Sequence, residues 1–381
     1  VIVTPPPSGK TQPEGLATLW YASYPASGSE LMLHGISVDA DGQQWGEKAT
    51  EKAIDLGVSP APVGLVGGFA DLGNFSPAPD GKWVLESIGF RTPFLINMAT
   101  GEVQEVKSYQ RGGGAEVFTW FPDSKHFVAL PQNIPGDVIA PSVDGTSEMV
   151  IPFPDDKTTT AADIKNMLAD LAYSPDGKRL LDAVTLSPIY QVREVPQAQI
   201  GIRESEQGER KVVFELKQAE FVIGSLRWLT SDRVIFLANV YDTDKLPYGI
   251  NNQETQLWQL DLSAGQAKMV TTLARQSQYD HLPVLLGTDK VLLITVEAMK
   301  DGRETANSLH LLNLDTGDIK TIVQLTDRRV FHPTPSPDGK WIAFVVNGDE
   351  YAEVWLATPD GQNQHAVAGP TSLNAPIFWT K

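Results

Sequence analysis

The sequence predicts an all-β chain, a seven-bladed β-propeller of four-stranded antiparallel blades, and three observations carry the prediction. An Asp-centred turn recurs ahead of apolar strands, a glycine turn recurs in phase with it, and each end of the chain holds an incomplete copy of the unit.

The first turn is clearest in "TPSPDGKWIAFVV", where Pro337 presets φ at the second turn position, Asp338 tolerates the bridge region and Gly339 closes the turn. It returns in "APDGKWVLE" at Asp80, "FPDSKHFVAL" at Asp123, "SPDGKRLLDA" at Asp176, "TSDRVIFLA" at Asp232 and "GTDKVLLITV" at Asp289. Successive aspartates lie roughly 43 to 57 residues apart, and a repeat of that size with strand-like flanks is the four-stranded unit of a propeller.

The second turn follows an alternating apolar strand each time, at Gly42, Gly101, Gly145, Gly208, Gly265, Gly317 and Gly361. A short, partly apolar run such as "RKVVFEL" or "IKTIVQL" comes after it, so each unit reads as four strands with tight hairpins after the first and third. The repeated Asp and Gly residues set blade geometry and carry no chemistry of their own.

The second turn outnumbers the first by one, and the chain ends explain why. "NAPIFWTK" reads as an innermost strand without its turn, while "ATLWYAS" and "SELMLHGISV" read as second and third strands without a first. Pairing the last strand with the N-terminal ones closes the ring and removes two open sheet edges. Residues 1–14 are then an extended tail or linker and 15–381 a single propeller.

Composition narrows the function classes. A hydrophobic content of 41% is enough for a sizeable core, and 47 acidic against 30 basic residues give a net charge of -17, which repels a phosphate backbone and argues against nucleic-acid binding. Cysteine is absent, which excludes disulfides, a thiol nucleophile and thiolate metal sites. Apolar runs such as "KVLLITV" have strand length and fall far below the roughly 18 residues of a helical membrane span. The opening "VIVTPPPSGKTQPEG" has the composition of a linker or tether, and the expectation is that an export or lipid-anchor signal preceded it.

With "FSPAPDGKWVLESI", "LAYSPDGKRLLDAV" and "TPSPDGKWIAFVV" in view, the chain resembles the TolB-like propeller family from about Gly15 to its end. "TSDR" and "GTDK" depart from the family turn, and neither the Gly-His nor the Trp-Asp signature of WD repeats occurs. The resemblance implies an extracytoplasmic, non-catalytic scaffold, periplasmic, on the cell surface or secreted, that binds a protein or a cell-envelope component. A gating domain for a peptidase is disfavoured, because no G-x-S-x-G elbow occurs and the blades use every segment. Two alternatives stand beside the scaffold: a metal-dependent, polysaccharide lyase-like enzyme on the same fold, and a structural subunit of an envelope assembly.

Function is expected on the top face, which takes the connections between second and third strands and between successive units. Just ahead of the inner-strand turns stand Asp71, Glu116, Asp170, Arg227, His281 and His332, polar side chains expected to converge at the channel mouth and to suit a cation, a sugar or a peptide terminus. His281 and His332 on neighbouring blades resemble the inner-strand histidines that hold a metal in propeller lyases, so a divalent cation is the alternative to the expected absence of a cofactor. Tyr190, Tyr241 and Tyr248 are expected as exposed aromatics for partner contact. "TTTAADIKNMLADL" reads as a short helix over the channel, with a Thr cap and Ile164, Met167 and Leu168 near helical spacing. Trp120, Trp228, Trp258 and Trp355 suit packing between blades. Asp39 with Asp41 and Asp242 with Asp244 lack the ligand spacing and closing Glu of a calcium loop and read as turns.

Overall fold

The computed structural model describes residues 17–23, 30–39, 41–42, 50–55, 74–87, 93–106, 115–131, 138–152, 166–186, 196–222, 224–242, 253–273, 282–300, 303–348, 351–371 and 377–380. Among them are strands and no helix.

The first unit holds β1 (Ala17–Ser23), β2 (Glu30–Val38) and β3 (Thr50–Asp55), and the second β4 (Asn74–Pro77), β5 (Trp83–Ser87), β6 (Phe94–Asn97) and β7 (Val103–Glu105). The third is two pairs, β8 (Ala115–Trp120) with β9 (Phe127–Pro131) and β10 (Val138–Pro141) with β11 (Glu148–Ile151), joined by a bridge between His126 and Ser142. The fourth comprises β12 (Asn166–Tyr173), β13 (Leu180–Leu186), β14 (Gln197–Arg203) and β15 (Lys211–Lys217). In the fifth the first strand is split into β16 (Ala219–Phe221) and β17 (Arg227–Trp228), followed by β18 (Arg233–Tyr241), β19 (Gln253–Asp261) and β20 (Gln266–Leu273). The sixth holds β21 (Val284–Leu286), β22 (Lys290–Lys300), β23 (Arg303–Asn313) and β24 (Ile319–Gln324), and the seventh β25 (Arg329–Pro335), β26 (Ile342–Asn347), β27 (Ala352–Ala357) and β28 (His365–Thr371). The last strand, β29 (Ile377–Thr380), pairs antiparallel with β1, setting Leu19 against Trp379 and Trp20 against Phe378.

Both turn series fall where the repeat puts them. Each Asp turn joins the first and second strands of a unit, and each Gly turn joins the third and fourth. The Ser-Pro-Asp-Gly-Lys turn satisfies its own polar groups: Ser174 Oγ donates to Asp176 Oδ1 at 2.6 Å and accepts from Arg179 N–H at 2.9 Å. Ser336 repeats the pattern with Asp338 and Trp341 at 2.6 and 3.0 Å.

Second strands are packed on both faces, which is why β13, β18 and β26 read as near-continuous apolar runs rather than as alternation. Fourth strands are sheet edges; β15, β20 and β24 leave Val212, Met269 and Ile319 exposed and interleave lysines such as Lys211, Lys268 and Lys320, which discourage edge-to-edge pairing.

The core is distributed around the ring, one apolar cluster lying between each pair of successive units. Phe221, Trp228 and Phe236 pack on Leu181 and Ile200 between units four and five, and Ile342 and Phe344 pack on Leu292 and Leu309 between six and seven. The cluster of Leu19, Ile36, Val345, Val354 and Trp379 joins unit seven to unit one, so packing closes the ring as the β29 ladder does. A fully buried Phe such as Phe236 contributes roughly 2–3 kcal/mol. Indole N–H groups tie neighbouring first strands together: Trp120 donates to the Ser76 carbonyl and Trp228 to the Ala172 carbonyl, both at 2.9 Å, and Trp379 to the Thr334 carbonyl at 3.1 Å.

The expected helix is corrected. Met167 and Leu168 lie in β12, and Ile164 falls outside the described residues. A bulge between Leu168 and Asp170 buries Leu168, Ala169, Asp170 and Leu171 in succession, which breaks the period-two pattern that would have marked a strand.

Candidate functional site

The structure brings Asp170 and Arg227 together on the first strands of units four and five. Asp170 Oδ2 accepts from Leu226 N–H at 2.8 Å and lies 3.5 Å from Arg227 Nη1, while its Oδ1 accepts from Leu171 N–H at 2.8 Å. Arg227 Nη1 also donates to the carbonyl of Leu226 at 2.8 Å. The bulge in β12 turns Asp170 toward the neighbouring unit, and the break between β16 and β17 frees Leu226 N–H to meet it.

The pair is asymmetric in exposure. The Asp170 side chain is 2% exposed and that of Arg227 is 38% exposed. Burial pushes the Asp170 carboxyl up to about 6, against the Arg227 guanidinium and the two backbone N–H groups, which pull it down. Near neutral pH it is largely an anion that fixes a cation on the inner strands.

Two more predicted residues have described side chains. His332 is partly buried in β25 with φ at 50°, where the register breaks between Phe331 and Thr334, and its ring centroid lies 6.3 Å from that of Phe331. Tyr241 is corrected from an exposed contact residue to a buried one, 4% exposed. It ends β18, and its hydroxyl donates to Glu220 Oε2 at 2.7 Å inside unit five. Glu116 lies in β8, the side chain not among those described, and Asp71, His281, Tyr190 and Tyr248 fall outside the described residues. Asp242 directly follows β18 and is exposed, Asp244 falls outside the described residues, and Asp39 accepts from Asp41 N–H at 3.0 Å in a turn.

Sequence reasoning missed several buried polar groups. Asn307 on β23 clamps β25 of the next unit, donating to the Val330 carbonyl at 3.0 Å and accepting from Val330 N–H at 2.6 Å. Thr185 Oγ1 accepts from Phe221 N–H at 3.1 Å across the joint between units four and five. Asp182 is buried between Arg210 Nε at 2.7 Å and Arg203 Nε at 3.5 Å, and a Cβ on Gly201 would lie 2.5 Å from Arg210 Nε, so glycine makes room for the ions. Glu86 is buried, and among the described residues neither of its carboxyl oxygens has a hydrogen-bond partner. A signal was present: Glu86 and Asp182 each stand six residues after the turn Asp, where Phe344 stands in unit seven.

Two other histidines belong to the repeat. Ser23 Oγ lies 2.8 Å from His34 Nε2 in unit one, and Thr295 Oγ1 lies 2.8 Å from His310 Nε2 in unit six. In both units the hydroxyl sits two residues past the cross-strand partner of the histidine, so these are equivalent positions. Among the described residues no group of three or more His, Asp or Glu side chains is placed to hold a metal ion. A cavity of about 380 Å³ opens on the turn side of unit four, lined by Lys178, Arg179, Glu204, Glu206 and Tyr173, whose hydroxyl donates to Glu206 Oε1 at 3.2 Å.

No family model matches the chain, and no curated protein matches it significantly. Solved structures do resemble it. A putative 6-phosphogluconolactonase from Bacteroides fragilis covers 98% of this chain and all of its own, 100%, at 12% identity with a TM-score of 0.53. An oligogalacturonate lyase in complex with manganese covers 92% of this chain and 84% of its own at 11% identity and a TM-score of 0.51. TolB from Acinetobacter baumannii covers 94% and 81% at 15% identity and a TM-score of 0.42. At these identities the likeness concerns the propeller fold.

Proposed function

We propose that this chain is a non-catalytic scaffold that binds a protein or a cell-envelope component through its inner strands and the face opposite the hairpin turns. The observation that carries the reading is Arg227, a partly exposed cation held in place by Asp170 and by the Leu226 carbonyl within a chain of net charge -17. A guanidinium has five N–H donors in a fixed fork, and both tethers of Arg227 come from one nitrogen, Nη1. The remainder suits an incoming carboxylate or carbonyl, such as a peptide terminus. The turn side offers less, because its aspartates are used by their own turns. The resemblance of the repeat to TolB-like propellers supports a location outside the cytoplasm.

The test is native mass spectrometry with elemental analysis of the tagged chain purified from its source. A protein partner retained by Lys320→Glu on the turn side and lost in Arg227→Glu supports the reading. A stoichiometric transition metal that disappears in the His281→Ala/His332→Ala double variant overturns it in favour of a metal-dependent enzyme.

A further inference from the structure

Glu86 stands on β5 between Phe75 of β4 and Phe94 of β6, its two cross-strand neighbours. Both rings pack in the cluster that joins units one and two, with Trp20, Leu31, Leu33 and Phe378. Alternation along β5 puts Glu86 on the face of Val84, a member of the same cluster. Its side chain is 0% exposed, and neither carboxyl oxygen has a hydrogen-bond partner among the described residues. Among the described residues of the facing strands, the charged group on that face is Lys52, one residue pair from Ile54. Lys52 Nζ is already bound by the Met98 and Ala99 carbonyls, beyond the end of β6 remote from Phe94.

Unit four shows what a stable acid at this register needs. There Asp182 has two arginines, while Glu86 has two phenylalanines. An unpaired carboxylate in such surroundings is strongly disfavoured, so the packed joint requires the neutral acid. Burial accordingly pushes the Glu86 carboxyl up to about 8.

We propose that Glu86 is a proton-operated latch on the joint between units one and two, the joint that includes the ring-closing strand. Protonated, it lets the two sheets pack; ionised, it drives the joint toward a state in which the carboxylate meets water. The folded group holds its proton at higher pH than the unfolded one, so the joint is most stable below about pH 4.5 and weakens as pH rises toward 8. Across that window the opening equilibrium rises about tenfold per pH unit.

Hydrogen exchange of the full chain between pH 5 and 9, corrected for intrinsic exchange, reads the latch directly. Protection of β5 and β1 amides is expected to fall about tenfold per pH unit up to about 8 and then level off, with no such slope in Glu86→Gln. Equal slopes in the two proteins, or none in the wild type, overturn the proposal. If Glu86→Gln does not fold, carboxyl carbon NMR of the wild-type chain decides: titration of Glu86 near 8 sustains the latch, and titration in the ordinary glutamate range removes it.

Discussion

At the hairpin turns, carboxylates are held ionised by the turn itself; inside the ring, burial pushes two carboxyl groups, Asp170 and Glu86, toward neutrality. Asp176 is lowered by the Ser174 hydroxyl and Lys178 N–H, and Asp144 is lowered to about 2 by the Ser142 and Thr146 hydroxyls. Asp170 and Glu86 move the other way, to about 6 and about 8, with desolvation the leading cause in both. The turn groups therefore stabilise the fold above the ordinary aspartate range and lose that contribution as pH falls. The interior groups contribute most below that range and lose it as pH rises. The difference teaches where the chain departs from its repeat: turn chemistry is copied from unit to unit, whereas interior acids differ from one unit to the next.

The comparison is broken most severely at a turn that also touches its neighbour. Gly42 has φ at 74°, and a Cβ there would lie 2.2 Å from the Trp341 ring, while Gly145 has φ at 67° with nothing within 4 Å. Gly42→Ala is expected to cost about 3 kcal/mol or more in urea denaturation and Gly145→Ala about 1 kcal/mol, the strain alone. Asp170→Ala leaves Leu226 N–H and Leu171 N–H without their acceptor and Arg227 without its counter-ion, and is expected to cost about 3 kcal/mol. Asp170→Asn keeps an acceptor and removes the titration, so the loss of roughly 3 kcal/mol expected in the wild type between pH 4 and 6 is absent from its stability profile. Asn307→Leu strands both polar groups of Val330 and is expected to cost about 2 kcal/mol. Asp176→Ala should have the smallest effect, visible as weaker acid dependence in the same denaturation series, since its carboxylate is solvent exposed.

Most of the fold was legible because a repeat multiplies a weak local signal. One Asp-Gly turn is an ordinary surface turn; two series in phase locate the strand pairs, and their unequal counts locate the closing strand β29. The interior site was only half legible. Asp170 and Arg227 stood out as polar residues ahead of inner turns, but the contact between them depends on a bulge in β12 and a split first strand in unit five. Neither has a local turn signature. The expected helix failed because the consecutive burial of Leu168 to Leu171 at the bulge hides the alternation of a strand. Tyr241 failed for another reason: its hydroxyl is satisfied by Glu220, which becomes its neighbour through pairing of β16 with β18.

The central claim is that partner recognition belongs to the inner strands around Arg227 and not to the repeated turns. A photoreactive amino acid placed at Arg227 in one version of the chain and at Lys320 in another, irradiated in the source cells, compares the two regions directly. Covalent capture of the same protein from position 227, with none from position 320, is the result predicted. Capture from position 320 alone would contradict the account and move recognition to the turn side.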